Sequence, residues 1–185
     1  MTDLQRSGAE RDYVREAESL LRGSPPKLSA PTASLLDHAQ AEARARDDNH
    51  VGTEHLMLGL YALGESTARR VLESLGINRQ VFAEQLEPEE GTSPSGQIPL
   101  TPRAHMIMGL AGIEAAGTPS GLVEPEHVLL GVIRESEKWE AAAYLGPHHL
   151  RAAAVAAGAK LVDVEHNLIR EMKRTQDSSA YDSRE

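Results

Sequence analysis

The sequence predicts an all-α protein, and three observations carry that prediction. Hydrophobic residues make up 40% of the chain but aromatics only 3%: Phe82, Trp139 and four tyrosines. A core without large rings must be built from Leu, Val, Ile, Met and Ala. Alanine has the highest helix propensity and lets helices approach closely, whereas a β-sandwich wants β-branched and aromatic residues. Apolar residues also recur at three- and four-residue spacing, which places them on one face of a helix. Finally, the whole pattern occurs twice. At 185 residues and 20.0 kDa, the chain suits one compact domain or at most two very small ones.

Residues 1–28 form an N-terminal extension. Tyr13, Val14, Ala17, Leu20 and Leu21 have helical spacing, and Gly23-Ser24-Pro25-Pro26 stops that helix. A first unit spans 29–90. Its opening helix buries the stripe Leu35-Ala39-Ala43, and a second helix, capped by Thr53, buries Leu56, Met57 and Leu60. Two more helices follow near 66–75 and 78–87. The segment 91–99, opening on Gly91-Thr92-Ser93-Pro94-Ser95-Gly96, is a linker. The second unit, 100–158, restarts at Thr101-Pro102 with the stripe Ile107-Ala111-Ala115. Its second helix starts near Pro125, which suits a first helical position, and buries Val128, Leu129 and Val132. Residues 159–185 form a C-terminal helix and a frayed polar tail. Leu161, Val164, Leu168 and Met172 share one face of that helix, which either docks on the domain or serves a partner or a second copy.

The duplication is explicit in the letters. Residues 51–60 read VGTEHLMLGL and residues 123–132 read VEPEHVLLGV, with His55 and His127 72 positions apart. The same offset maps Leu35, Ala39 and Ala43 onto Ile107, Ala111 and Ala115, and Ser29 onto Thr101. Gly59 and Gly131 fall at equivalent places inside helices, where each costs about 1 kcal/mol relative to Ala. Their retention points to a close helix crossing. Neither unit has much core alone, so the two are expected to pack as one pseudo-twofold domain.

Composition excludes several functions. Nineteen Lys and Arg against 28 Asp and Glu give a formal charge of −9, which disfavours a general nucleic-acid binder. In the N-terminal segment, Arg6, Arg11, Arg15 and Arg22 are offset by Glu10, Glu16 and Glu18. Without cysteine there are no disulfides, thiol nucleophiles or Cys-based zinc sites. No apolar run approaches the roughly 18 residues of a membrane span, and the first residues lack a secretory apolar core, so a cytoplasmic protein is expected. G-x-S-x-G is missing, and the prolines in Ser24-Pro25-Pro26-Lys27 deny the helical turn that S-x-x-K chemistry needs.

The Ala-rich helix, the V-G-T-E-H-L-x-L-G-L run, the following Leu-Gly and the T-P-R-A opening of the second half resemble the Clp N-terminal repeat domain, nearest in pattern to the ClpC type. The resemblance covers about residues 29–157. It implies eight helices in two four-helix repeats, no catalysis, no cofactor, and capture of substrate or adaptor proteins for an AAA+ unfoldase. No G-x-x-x-x-G-K-[ST] phosphate loop occurs in these residues. The expectation is therefore a stand-alone capture module that acts in trans on a ClpC-type protease, with oligomerisation left open.

The same resemblance marks Glu54 and Glu126, with Thr53 beside the first, as candidates for binding phosphoarginine on substrates. A carboxylate suits a guanidinium because it accepts parallel N–H bonds. Ser29, Thr101 and Arg103, at the starts of the first helices, would serve the phosphate. His105 and the Glu124-Pro125 replacement weaken the second site. The plainer reading is that both glutamates complement their own helix dipoles. His55 and His127, even with His50 nearby, lack the i, i+3 or i+4 spacing of helix-borne metal ligands, so they are expected to pack between helices. His148-His149, after Gly146-Pro147, reads as a turn and the start of a new helix. The alternative function is a decoy or sensor for cyclic peptides or other small molecules that target Clp N-domains, in a pocket at the repeat junction with Phe82 on its wall.

Overall fold

A computed structural model describes residues 25–86, 95–138 and 149–182. Eight helices occupy the described residues: α1 Ala30–Ala45, α2 Thr53–Ala62, α3 Thr67–Ser74, α4 Arg79–Ala83, α5 Pro102–Ala116, α6 Pro125–Lys138, α7 His149–Ala156 and α8 Leu161–Asp182. The expected N-terminal helix, residues 91–94 of the linker, and the Ala141–Gly146 stretch lie outside the described residues.

Local chemistry sets the helix starts. The Ser29 hydroxyl oxygen accepts the Thr32 N–H at 3.3 Å, and Thr101 Oγ1 accepts the Ala104 N–H at 3.1 Å. Each cap precedes a first turn containing proline, whose missing N–H costs nothing there. Both predicted stripes are buried, as are Leu56, Met57, Leu60, Val128, Leu129 and Val132.

The two glycines explain how α1 meets α2 and how α5 meets α6. A β-carbon on Gly59 would lie 2.5 Å from the Leu35 carbonyl oxygen; one on Gly131 would lie 2.6 Å from that of Ile107. Nothing larger than hydrogen fits between these backbones.

The repeats are joined by exchange. The segment before α1 pairs with the segment before α6, and the segment before α2 pairs with the one before α5. In the first pair, Ser29 N–H donates to Val123 O at 3.1 Å and Val123 N–H to Lys27 O at 2.8 Å. In the second, Thr101 N–H donates to Val51 O at 3.0 Å and Val51 N–H to Pro99 O at 2.8 Å. The sequence offset converts one set of bonds into the other, which is the pseudo-twofold relation in hydrogen-bond form. The end of the linker is pinned as well, because the Gln40 amide exchanges two hydrogen bonds with the Ile98 backbone.

The C-terminal helix docks. Val164 and Leu168 of α8 are wholly buried, with Leu161 and Met172 beside them in the core, and α8 packs on α3 and α6. Arg134 of α6 reaches both Glu165 of α8 and Glu114 of α5. Among the described residues, no helix is long and apolar enough to cross a membrane.

Candidate functional site

The exchanged pairing creates two seams, each joining the start of a repeat's first helix to the start of the other repeat's second helix. The first holds Val51 to His55 and Thr101 to Arg103. Gly52, rather than Thr53, is the N-cap of α2. It has no side-chain acceptor to offer the next turn, and its own N–H donates to His55 Nδ1 at 3.0 Å. Glu124 N–H donates to His127 Nδ1 at the same distance. Each Glu-His pair therefore divides its labour: histidine turns inward to hold the helix start, and glutamate turns toward the seam.

The two histidines differ beyond that shared bond. His55 Nε2 donates to Asp48 Oδ2 at 2.7 Å, whereas the buried His127 Nε2 has no partner. Burial pushes both rings toward the neutral form. At His55 the neighbouring Glu54 and Asp48 carboxylates outweigh burial and hold the pKa above the usual histidine value. At His127 burial wins over the charges of Glu126, Glu124 and Glu114, and the pKa falls. His55 Nδ1 has two alternative partners. The neutral ring accepts the Gly52 N–H, and the protonated ring donates to Glu54 Oε1, 3.0 Å away.

The Glu54 carboxylate folds back over Gly52, where a β-carbon would lie 2.0 Å from Oε1. A side chain at position 52 would displace the flexible end of Glu54, and the second repeat carries Glu124 at the equivalent place. Burial raises the Glu54 pKa, but hydrogen bonds from His55 and its own backbone N–H, with the charges of His55 and His149, bring it below the usual carboxylate value. The side chain remains 16% exposed, so an ionised carboxylate faces the seam.

Arg103 lies two residues beyond Thr101 and is committed to α6. It grips Glu135 of α6 side-on, Nε to Oε1 at 2.9 Å and Nη2 to Oε2 at 2.8 Å, and Glu135 is wholly buried. His149 arrives from α7. Its Nδ1 donates to Gln85 O at 3.1 Å, since a carbonyl can only accept, and its ring stands edge-on to Phe82. Its ionisation responds to Glu54, Arg103 and Arg46. Sequence spacing gave no hint of this residue, which lies 95 positions from Glu54.

The second seam is occupied by the protein itself. Glu126 Oε1 accepts the N–H of Thr67 at 2.9 Å and of Ala68 at 3.3 Å, so this carboxylate caps α3 of the other repeat. Pro31, Ser66, Thr67, Arg70 and Glu124 line a small cleft of about 300 Å³ around it. Ser29 is nearly buried, and its hydroxyl is engaged with Thr32. Phe82 reaches neither seam: it is wholly buried beside Tyr61 and His149 and offers no surface to a ligand. The expectation of a pocket wall at Phe82 is corrected here. With Tyr61, 5.9 Å away between ring centres, Phe82 is one of the few large rings in an otherwise aliphatic core and packs in its interior. A cleft of about 580 Å³ does lie at the junction, lined by Leu28, Leu36, Gln40, Ile98, Leu100 and His105. Among the described residues, no group of His, Asp or Glu is arranged to hold a metal.

Comparison with known proteins places this geometry. The chain matches the Clp repeat (R) N-terminal domain family over residues 27–148. It is 38% identical over 113 residues to the ATP-dependent Clp protease ATP-binding subunit ClpC of Staphylococcus aureus strains USA300 and N315. The match covers 60% of this chain and 14% of the ClpC sequences. The N-terminal domain of the caseinolytic protease associated chaperone ClpD from Arabidopsis thaliana superposes with a TM-score of 0.57 at 17% identity. That superposition covers 80% of this chain and 95% of the ClpD domain, and at such identity it speaks to fold alone.

Proposed function

The chain belongs to the Clp repeat N-terminal domain family, and from that premise we propose that it is a non-catalytic capture module for substrate or adaptor proteins of a ClpC-type protease. The observation that carries this reading is the inequality of the seams. Glu126 is spent on the amides of α3, whereas Glu54 presents an ionised, partly exposed carboxylate whose close side-chain partner among the described residues is the neighbouring His55. A carboxylate so placed accepts paired N–H groups from the guanidinium of an arginine on a client chain, phosphorylated or not. The formal charge of −9 favours basic clients, with an attraction that weakens as salt rises.

Titration of the full chain with N-acetyl-arginine amide, phosphoarginine and N-acetyl-lysine amide tests the reading. Both arginine probes bind and the lysine probe binds more weakly, because an ammonium cannot match the carboxylate fork. Glu54→Gln loses about tenfold in affinity for the arginine probes, and an unchanged affinity removes the reading.

A second reading draws on the junction cleft. Its apolar Leu28, Leu36, Ile98 and Leu100, rimmed by Gln40 and His105, favour a cyclic peptide or another small amphipathic ligand. Loss of cyclic-peptide binding on Leu36→Glu separates it from the first.

A further inference from the structure

We propose that the groove between α3 of the first repeat and α6 of the second is a helix-binding surface, and that α8 is its tethered, exchangeable occupant. The partner it fits is an amphipathic helix of another protein, with the apolar spacing of α8 and a carboxylate that meets Arg134. The surface is separate from the Glu54 seam, so the inference stands independently of the reading above.

Three features mark α8 as an occupant of the repeats. It follows the second unit and has no counterpart in the doubled sequence pattern. It is joined through Gly158, whose φ of 71° is left-handed and whose added β-carbon would meet nothing within 4 Å. The joint is a pivot in open space. The helix also starts by itself: Lys160 N–H donates to Asp163 Oδ2 at 3.3 Å, so its first turn is closed by its own side chain.

What holds α8 is narrow. Val164 and Leu168 are wholly buried, Leu161 nearly so, and Met172 partly, at spacings of three and four residues that form one stripe against α3 and α6. Beside the stripe, Glu165 Oε1 lies 2.5 Å from Arg134 Nη1 of α6. Past Met172, Lys173, Arg174 and Thr175 are exposed, so docking uses about three turns. An apolar stripe with one flanking ion pair is how an amphipathic helix is read in a groove. Such a short helix is marginal alone, so its few anchors must offset its ordering entropy. The opening of α8 is therefore easier than that of α1 and α5, whose Ala39 and Ala111 are wholly buried.

Hydrogen exchange of the full chain tests the opening. Amides from Val164 to Met172 are about 100-fold less protected than those of Ala39 and Ala111; equal protection would overturn the proposal by making α8 an inseparable part of the core. Exchange of the occupant is tested in the full chain carrying Val164→Asp and Leu168→Asp, in which α8 leaves the groove and the repeats keep their amide spectrum. A synthetic peptide of residues 159–182 binds that variant. It binds wild type at least about tenfold more weakly, because the tethered copy competes at an effective concentration near the millimolar range. Glu165→Gln in the peptide loses about fivefold, and Leu168→Asp in the peptide abolishes binding. An alanine-rich helical peptide that keeps only Leu161, Val164, Glu165, Leu168 and Met172 binds within about fivefold of the native one. Loss of the α1 and α5 signals together with α8, or equal peptide binding by wild type and variant, would overturn the proposal. So would a folded variant that ignores the peptide, indifference to both peptide substitutions, or failure of the alanine-rich peptide.

Discussion

The Glu126 carboxylate of the second repeat accepts the Thr67 N–H of the first, 2.9 Å away, and so caps a helix that belongs to the other half of the molecule. An anion at a helix N-terminus satisfies amides that have no partner inside the helix and meets the positive end of its dipole. Glu126 lies on the surface of the seam rather than deep in the core, so its contribution is that of an ordinary cap. Glu126→Gln therefore lowers stability by about 1 kcal/mol in urea unfolding and leaves arginine-probe affinity intact. Equal losses of affinity in Glu126→Gln and Glu54→Gln would mean that the two seams work alike.

Gly59 and Gly131 should not tolerate even alanine. The substitution gains about 1 kcal/mol of helix propensity, but the new β-carbon meets a backbone oxygen that cannot rotate away. Overpacking of this kind costs about 1–3 kcal/mol, so Gly59→Ala and Gly131→Ala each lower the melting temperature. A rise in either case would show that the helices separate freely.

His55 and His127 make opposite contributions to stability across pH. The folded-state pKa of His55 is raised, so its stabilisation is fully present below the unfolded-state value and disappears as pH rises through the folded value. The pKa of His127 is lowered, so its contribution is present above the unfolded-state value and is lost as pH falls through the folded one. NMR titration places His55 above His127. His55→Gln makes the slope of stability against pH more positive, and His127→Gln makes it more negative. Slopes that change in the same direction would refute the assignment.

Arg103 and Glu135 form a buried pair whose removal is asymmetric in cost. Arg103→Ala leaves a carboxylate without its partner in the core, at a cost of roughly 3 kcal/mol. Arg103→Met with Glu135→Leu recovers most of that loss, as measured by denaturant unfolding. Arg103→Lys does not recover it, because an ammonium cannot hold both carboxylate oxygens side-on. Full stability in Arg103→Ala would contradict the geometry.

Much of this architecture was legible from periodicity. The stripes Leu35-Ala39-Ala43 and Ile107-Ala111-Ala115 announced their helices because burial repeats at the helical spacing, and the paired glycines announced the crossings because mid-helix glycine is otherwise costly. The site was only half legible. Glu54 stands out as a letter in a repeated motif, but nothing local tells that the equivalent Glu126 caps α3, since that contact joins residues 59 positions apart. His149 was passed over for the same reason, and Phe82 was misplaced because an isolated aromatic letter carries no record of which side it faces. Thr53 was read as the cap because its hydroxyl suits the task, whereas His55 reaches back from the third helical position and lets glycine fill it.

The most direct test is the backbone amide spectrum of the isotope-labelled full chain, followed during addition of N-acetyl-arginine amide. The account predicts that shifts concentrate at Gly52–His55 and Thr101–Arg103. Shifts gathered instead around Leu28, Gln40 and Ile98, or around Thr67 and Arg70, would contradict it by placing recognition in the junction cleft or at the seam that Glu126 already fills.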